Sequence, residues 1–493
     1  MAEPHFDVII VGAGLSGIGA AHHLRQHCPG KSYAILEGRG AIGGTWDLFR
    51  YPGIRSDSDM FTLGYSFRPW TEAKSIADGP SILAYIRDTA REEGIERHIR
   101  FNHMVEAASW DSAAARWTVT AHHEGQAVRM TCHFLFMCSG YYDYAAGYTP
   151  EFPGRESFAG EVVHPQNWTA DIVHAGKRVV VIGSGATAMT LVPAMAETAA
   201  HVTMVQRSPT YVVARPAEDP KANWLRRHLP MRLAYSLVRW RNVLLGMYVY
   251  RLCKRKPERM KALILGGVRQ WLGPDYDVAR HFTPSYKPWD QRLCLVPDGD
   301  LFKAIRAGKA EVVTGAIERF TATGLRLTDG REVAADMIVT ATGLDLVVLG
   351  KVRLSVDGAA IEPAACMTYK GMMYSDVPNM AFAVGYTNAS WTLKCDLTCE
   401  YVCRVLAHMD RTGARQVTPR RDPTVAEAPW VDFTSGYIQR AADRFPRQGT
   451  RAPWKLHQNY VRDLIALRYG GLEDGTLAFT NPAPVGRERV AAE

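Results

Sequence analysis

The sequence predicts an α/β protein built from two copies of one strand–turn–helix–strand unit, with a helical insertion. Three observations support this. An apolar run at 6–11 enters Gly12-Ala13-Gly14-Leu15-Ser16-Gly17, followed by a helix-like stretch at 18–25 and a second strand at 33–36. The design recurs at 178–182 with Gly183-Ser184-Gly185-Ala186-Thr187-Ala188, then a helix and a strand at 202–206. Between 215 and 288 the character becomes helical, Trp-rich and basic. A strand, a glycine turn, a helix and a second strand within about thirty residues make a Rossmann-like unit.

Each residue of the first turn has a mechanical task. Gly12 permits the tight turn, Gly14 lets the backbone approach a pyrophosphate, and Gly17 allows close helix–strand packing. Ser16 belongs to the same cradle, at the helix N-terminus where free N–H groups and the dipole favour negative charge. Glu37 lies twenty residues past Gly17, at the end of the next strand. A carboxylate there accepts bonds from a ribose 2′-hydroxyl and repels a 2′-phosphate, so this cradle calls for FAD or NAD.

In the second cradle Ala188 takes the third glycine's place. Nineteen residues on, the strand ends in Arg207-Ser208, a guanidinium and a hydroxyl suited to a 2′-phosphate. With Gly183, Ser184, Gly185 and Thr187 they predict an NADPH site. One diol-reading and one phosphate-reading cradle imply a flavoprotein reduced by NADPH. Regular patterning resumes near Leu301, with a hairpin-like stretch at 312–333 and a strand at 337–340. From Asn481 onward the chain reads as a loose tail.

Composition narrows the class. The chain has 493 residues, 47% of them hydrophobic and 22% charged, which excludes disordered, collagen-like and coiled-coil classes. No apolar run approaches the roughly 18 residues of a membrane span, and the first strand begins too early for a signal peptide. The expectation is a soluble cytoplasmic protein. Nine cysteines include no C-x-x-C pair. That argues against a disulfide scaffold, and Cys395, Cys399 and Cys403 share one helical face suited to core packing. No His or Cys spacing suggests a metal site. The net charge of +8 is local: 221–280 holds fourteen Lys and Arg against three acids, a net +11, leaving −3 elsewhere.

Disulfide reductases share this two-cradle layout but need a cysteine pair at the flavin, which is missing here. Phe158-Ala-Gly160-Glu-Val-Val-His164-Pro-Gln-Asn-Trp168 instead resembles the F-x-G-x-x-x-H-x-x-x-W fingerprint of type I Baeyer–Villiger monooxygenases. Flavin-containing monooxygenases of amines and sulfides usually carry Tyr at the position of Trp168. Residues 43–46, including Gly44, Thr45 and Trp46, and 50–57, ending in Asp57, also resemble that family's flavin loop. The resemblance runs from about 6 to 485. It implies an FAD domain from 1–147 and 346–493, the latter with the C-terminal tail. An NADPH domain would comprise 148–212 and 287–345, with the helical insertion at 213–286.

The implied activity is NADPH- and O2-dependent conversion of ketones to esters or lactones through a C4a-peroxyflavin, with sulfides or thioamides as side substrates. The alternative is a flavin-containing monooxygenase that oxygenates N or S heteroatoms. The family's catalytic-arginine motif falls on 288–292, making Arg292 the cation that stabilises developing oxyanion charge and Asp57 the acid that orients it. Val105 joins the FAD contacts. His164 and Trp168 are implied to couple the domains without a chemical step. Two departures stand out: Thr169 where the fingerprint closes with Pro or Asp, and Gln291 where many relatives have Lys. Residues near Trp391 and Trp454 are the substrate-pocket candidates.

In the basic segment Trp224, Leu225, Leu229, Leu233, Tyr235, Leu237, Val238 and Trp240 alternate with arginines at near-helical spacing. The family reading is an insertion in the NADPH domain that covers part of the substrate cavity, arginine stems lying on apolar surface. Peripheral membrane contact through 221–280 is the less favoured reading. Nucleic-acid binding is not expected, since no RNA-binding motif accompanies the charge.

Overall fold

The computed structural model describes residues 3–431 and 433–482, so all but the first two residues of the expected tail lie outside it. The first domain opens with β1 (His5–Val11), α1 (Leu15–His27) and β2 (Tyr33–Leu36). Val8, Ile9 and Ile10 are completely buried. A strand covered on both faces needs a continuous apolar run, and each such side chain contributes about 1.5–3 kcal/mol on burial. Beyond β2 lies β3 (Ile99–Arg100); on the other side of β1 comes an antiparallel meander of β4 (Met104–Asp111), β5 (Arg116–His123) and β6 (Gln126–Met137). β6 pairs in parallel with β1.

The chain leaves through β7 (Tyr142–Gly147) and builds the second domain. This contains β8 (Glu161–Val163), β9 (Arg178–Ile182), α2 (Ala186–Met195), β10 (His201–Gln206) and β11 (Val212–Arg215). The insertion follows as α3 (Pro220–His228), α4 (Met231–Arg255) and α5 (Pro257–Leu272). The chain then resumes with β12 (Cys294–Pro297), α6 (Asp300–Arg306) and β13 (Ala310–Thr314). Next come β14 (Ile317–Thr321), β15 (Gly324–Leu327), β16 (Glu332–Ala334) and β17 (Met337–Thr340). The parallel sheet has the order β13-β10-β9-β17-β8. Only 317–334 is antiparallel here; Val312 and Val313, expected in a hairpin, pair in parallel with Met204 and Val205. Apolar patterning marks a strand but does not reveal its partner's direction.

β18 (Leu344–Leu346) returns antiparallel to β7, so the two crossings between domains lie side by side. β19 (Arg353–Val356) and β20 (Ala359–Ile361) then extend the first sheet beyond β4, and β21 (Met380–Phe382) adds to β6, making nine strands. α7 (Trp391–Thr412) packs on α1, with Cys395, Cys399 and Cys403 buried.

The insertion straddles both domains. Leu265 and Val268 of α5 enter the second domain's core. α4 is fastened to the first domain: buried Arg239 donates from Nη1 to the carbonyls of Phe61 and Gly64, both at 2.8 Å, and lies 3.6 Å from Asp396 of α7. Among the described residues no helix is long and apolar enough to cross a membrane.

Candidate active site

The chain turns through Gly12 at φ 102°, a conformation that favours glycine. A Cβ on Gly12 would meet the Cys138 carbonyl at 2.7 Å, and one on Gly17 would lie 1.9 Å from the Gly12 carbonyl. The protein's own packing demands both. Gly14 differs, because a Cβ there would make ordinary contact with Gly44 at 3.5 Å. Gly14 borders the cavity over the turn, so a side chain there would take up space in that cavity rather than strike the protein. α1 starts there without a side-chain cap, leaving its first N–H groups open to an anion. Glu37 is buried at the far end, accepting the N–H groups of Ala13 at 2.7 Å and Arg39 at 2.9 Å. Burial pushes its pKa up.

A cavity of about 510 Å³ runs over Gly12, Gly14, Ser16 and Glu37. It continues past Gly44, Thr45, Trp46 and Val105 to Asp57 and Arg292. Ser16 also accepts the Trp391 indole N–H at 2.8 Å, which ties α1 to α7. Thr45 Oγ1 lies 3.3 Å from the Tyr144 hydroxyl. An uncapped helix end, a turn kept bare for an outside group and a carboxylate at the ribose position fit FAD.

The second cradle repeats the arrangement. Gly183 has φ 135°, and its Cβ would lie 2.3 Å from the Ala341 carbonyl. Gly185 opens α2 without a side-chain cap, and a Cβ there would meet nothing within 4 Å. Ala188 is fully buried, as the third position requires. Ser184 Oγ donates to the Ser208 carbonyl at 2.9 Å. Arg207 is exposed and has no ion pair among the described residues. These groups fit a 2′-phosphorylated dinucleotide. Thr187 faces the first cavity instead, so the two cradles approach each other there.

Arg292 Nη1 stands 3.0 Å from Asp57 Oδ2, with both side chains about one-third exposed (37% and 31%). Asp57 foremost, with Tyr437, Tyr141 and Tyr142 nearby, raises the guanidinium's pKa and outweighs the cost of burial. It is a permanent cation. The preceding Trp289 sits at φ 68°, which for a bulky residue costs about 1–3 kcal/mol and persists only when neighbours enforce it. Asp290 does so, pairing with Lys254 at 3.0 Å and offering its carbonyl to the Thr434 N–H at 3.1 Å. On the other side Asn242 donates to Asp59 at 2.8 Å. α4 therefore braces both loops of the Asp57–Arg292 pair.

A second cavity meets the first at Tyr141, Arg292, Tyr386 and Trp391, and is walled by Trp430, Phe433, Tyr437 and Phe445. Lys394 and Asp463 form a 2.9 Å ion pair in its lining. Of the stretch near Trp454, Leu456, His457 and Gln458 line it, whereas Trp454 itself is 1% exposed and packs against Tyr369 in the core.

The fingerprint residues have separate places. Phe158 packs with Phe320 in the second domain, and a Cβ on Gly160 would strike the Asp336 carbonyl at 2.4 Å. Trp168 is buried in the main core of that domain. His164 sits against both crossings. Its Nε2–H donates to the Gly343 carbonyl at 3.1 Å, Nδ1 accepts the Gln166 N–H at 3.2 Å, and Gly147 lies so close that a Cβ would strike the ring. Burial lowers its pKa and favours the neutral ring, and the Gln166 N–H on Nδ1 sets this tautomer.

Sequence reasoning missed two supports. Arg55, next to the Asp57 loop, pairs with Asp300 of α6 and donates to the Met189 carbonyl of α2, joining the domains. Tyr437, from the C-terminal region, lines the second cavity together with Arg292, a long-range placement with no local signal. Among the described residues no cluster of three or more His, Cys, Asp or Glu could hold a metal ion.

Known proteins match this architecture. Residues 71–239 fit the flavin-binding monooxygenase-like family, and residues 10–74 fit an NAD(P)-binding Rossmann-like domain. FAD-containing monooxygenase EthA of Mycobacterium tuberculosis is 56% identical over 98% of this chain and 99% of its own length. A solved structure described as oxidized steroid monooxygenase bound to NADP superposes with a TM-score of 0.78 at 23% identity, over 97% of this chain and 100% of that one. An open crystal structure of cyclohexanone monooxygenase gives 0.70 at 23% identity, over 85% of this chain and 90% of that one. With more than half its residues shared with EthA along almost the whole of both proteins, the chain belongs to the FAD-containing monooxygenases of the Baeyer–Villiger type.

Proposed function

We propose that the chain catalyses NADPH- and O2-dependent oxidation of ketones to esters or lactones, with sulfides or thioamides as side substrates. The observation that carries this reading is the Asp57–Arg292 pair at the junction of the two cavities. One cavity fits FAD; the other is an aromatic chamber suited to an apolar carbonyl compound. When bound, FAD takes two electrons from NADPH and activates oxygen. The cradle of Gly12, Gly14 and Glu37 would hold it, while Gly183, Gly185, Arg207 and Ser208 would hold NADPH.

Arg292 stabilises the negative charge that grows on the substrate carbonyl oxygen during attack. Asp57 positions the guanidinium. Trp430, Phe433, Tyr437 and Phe445 place apolar walls before the pair, lowering the local polarity and strengthening that interaction. His164 holds the two crossings together, coupling the nicotinamide-side domain to the flavin-side domain. The nine cysteines, all unpaired and buried, support a cytoplasmic setting.

The test mixes flavin-loaded protein with NADPH and linear, cyclic and aryl ketones under air, identifying products by mass spectrometry. Ester from the wild type is expected. Oxidation of sulfides alone, with no ester from any ketone, would overturn the reading in favour of heteroatom oxygenation.

A further inference from the structure

We propose that the outward face of α4, with Trp224 of α3, docks on an anionic lipid bilayer. Leu233, Leu237, Trp240, Leu244 and Tyr248 follow one another at intervals of three or four residues, the spacing of a single helix face. They are 48%, 47%, 39%, 53% and 60% exposed, and Trp224 is 57% exposed. The opposite side, with Ala234, Tyr235 and Val238, is buried against the protein. At about 1.5 Å per residue the outward stripe is roughly 20 Å long. Isolated exposed leucines are ordinary, whereas a contiguous apolar line marks a surface that something covers.

The charge around it selects the occupant. Arg251 and Arg255 continue the stripe one and two turns on; Arg232, Lys256 and Arg259 flank it, all exposed and without ion pairs among the described residues. The segment 221–280 carries net +11. A second copy of this face would bring like charge against like charge. Anionic headgroups accept the arginines and lysines while the leucines and tryptophans enter the acyl boundary, as in helices that lie in the membrane plane. With no membrane-spanning helix among the described residues, this attachment is peripheral.

The position also concerns the active site. On its inner side α4 presents Val243 to Tyr386 and Leu393, and Tyr386 lines both cavities. One helix, about 10 Å thick, separates the lipid-facing stripe from that wall. A lipophilic carbonyl compound dissolved in the bilayer would be held next to the chamber. This last point rests on the proposed oxidation; the docking itself does not.

The test is flotation of FAD-loaded full-length protein with vesicles of phosphatidylcholine alone or mixed with phosphatidylglycerol, comparing wild type with Leu237→Glu/Leu244→Glu. Wild type should float with the anionic vesicles, weaken as salt is raised, and bind at least about tenfold better than the double variant. Flavin content and turnover of a water-soluble ketone should be unchanged in the variant, since neither leucine touches the site. Three results would overturn the proposal: no binding to anionic vesicles; binding that the double variant retains, which would leave only a basic patch; or a wild-type oligomer that the variant dissociates without any vesicle binding. None of these readings depends on ester formation, so a failed docking test and a failed oxidation test are distinguishable.

Discussion

Replacing Arg239 by methionine should unfasten the insertion from the first domain at a large cost. The residue is 7% exposed, and Nη1 makes two 2.8 Å bonds to carbonyls. Hydrogen bonds from a charged donor contribute about 1.5–3 kcal/mol each. Asp396, 4% exposed, would retain the Ser66 N–H at 3.0 Å and His23 at 3.6 Å but lose its arginine. Breaking a buried pair from one side costs about 3–5 kcal/mol, a figure that overlaps the lost bonds rather than adding to them. Methionine fills similar volume, so little of the loss comes from a cavity. The assay is equilibrium urea unfolding followed by circular dichroism and flavin fluorescence, with Arg241→Met as comparator. Arg241 pairs with Asp219 at a more exposed place (35% and 20%), where about 0–1 kcal/mol is expected. Equal losses in the two variants, or less than about 1 kcal/mol for Arg239→Met, would refute burial as the source of the effect.

Other substitutions probe other links. Gly17→Ala drives a methyl into the Gly12 carbonyl, a backbone atom that cannot swing aside, so it should cost about 1–3 kcal/mol and strip flavin, read as loss of visible absorbance on purification. Arg207→Ala should lower kcat/KM for NADPH by about 10–100-fold, the loss of one charged hydrogen bond, while leaving NADH turnover nearly unchanged. His164 has its pKa lowered from the ordinary 6.5 by burial. Its contribution to stability is therefore complete above pH 6.5 and lost as pH falls through the lower folded value. His164→Gln, which keeps a donor but cannot titrate, should flatten the acid limb of the stability profile by at most about 1.4 kcal/mol per pH unit. An unchanged limb would show that His164 does not titrate on unfolding.

What the sequence revealed follows from how local the physics is. The first cradle was legible because a glycine required by a carbonyl five residues earlier, as Gly17 is by Gly12, leaves its mark within one turn; the second repeats the strand–turn–helix pattern with Ala188 in that place. Glu37 was legible because strand and helix lengths set its spacing. Arg292 and Asp57 are far apart in the chain, and only the family's motif brought them together before the fold was known. The Asp290–Thr434 bond and the approach of Tyr437 left no local trace. α4 shows a different limit. Periodicity finds apolar faces and assumes they point inward, yet this helix is apolar on two: Tyr235 and Val238 face the protein, Leu233 and Leu237 face away. The stretch near Trp454 does reach the chamber through Leu456, His457 and Gln458, while the indole itself is spent on the core, since a large aromatic serves a core as readily as a pocket.

The central claim is that a fixed cation at the cavity junction turns activated oxygen onto a carbonyl carbon. The most direct measurement follows NADPH consumed and ester formed in the same reaction under labelled oxygen, for wild type and Arg292→Ala. The account predicts one labelled oxygen per ester in the wild type. In the variant ester should fall by about 100–1000-fold, the usual effect of removing one oxyanion-stabilising donor, while NADPH oxidation continues. Ester formed by the variant at the wild-type yield per NADPH, or ester without label, would contradict it.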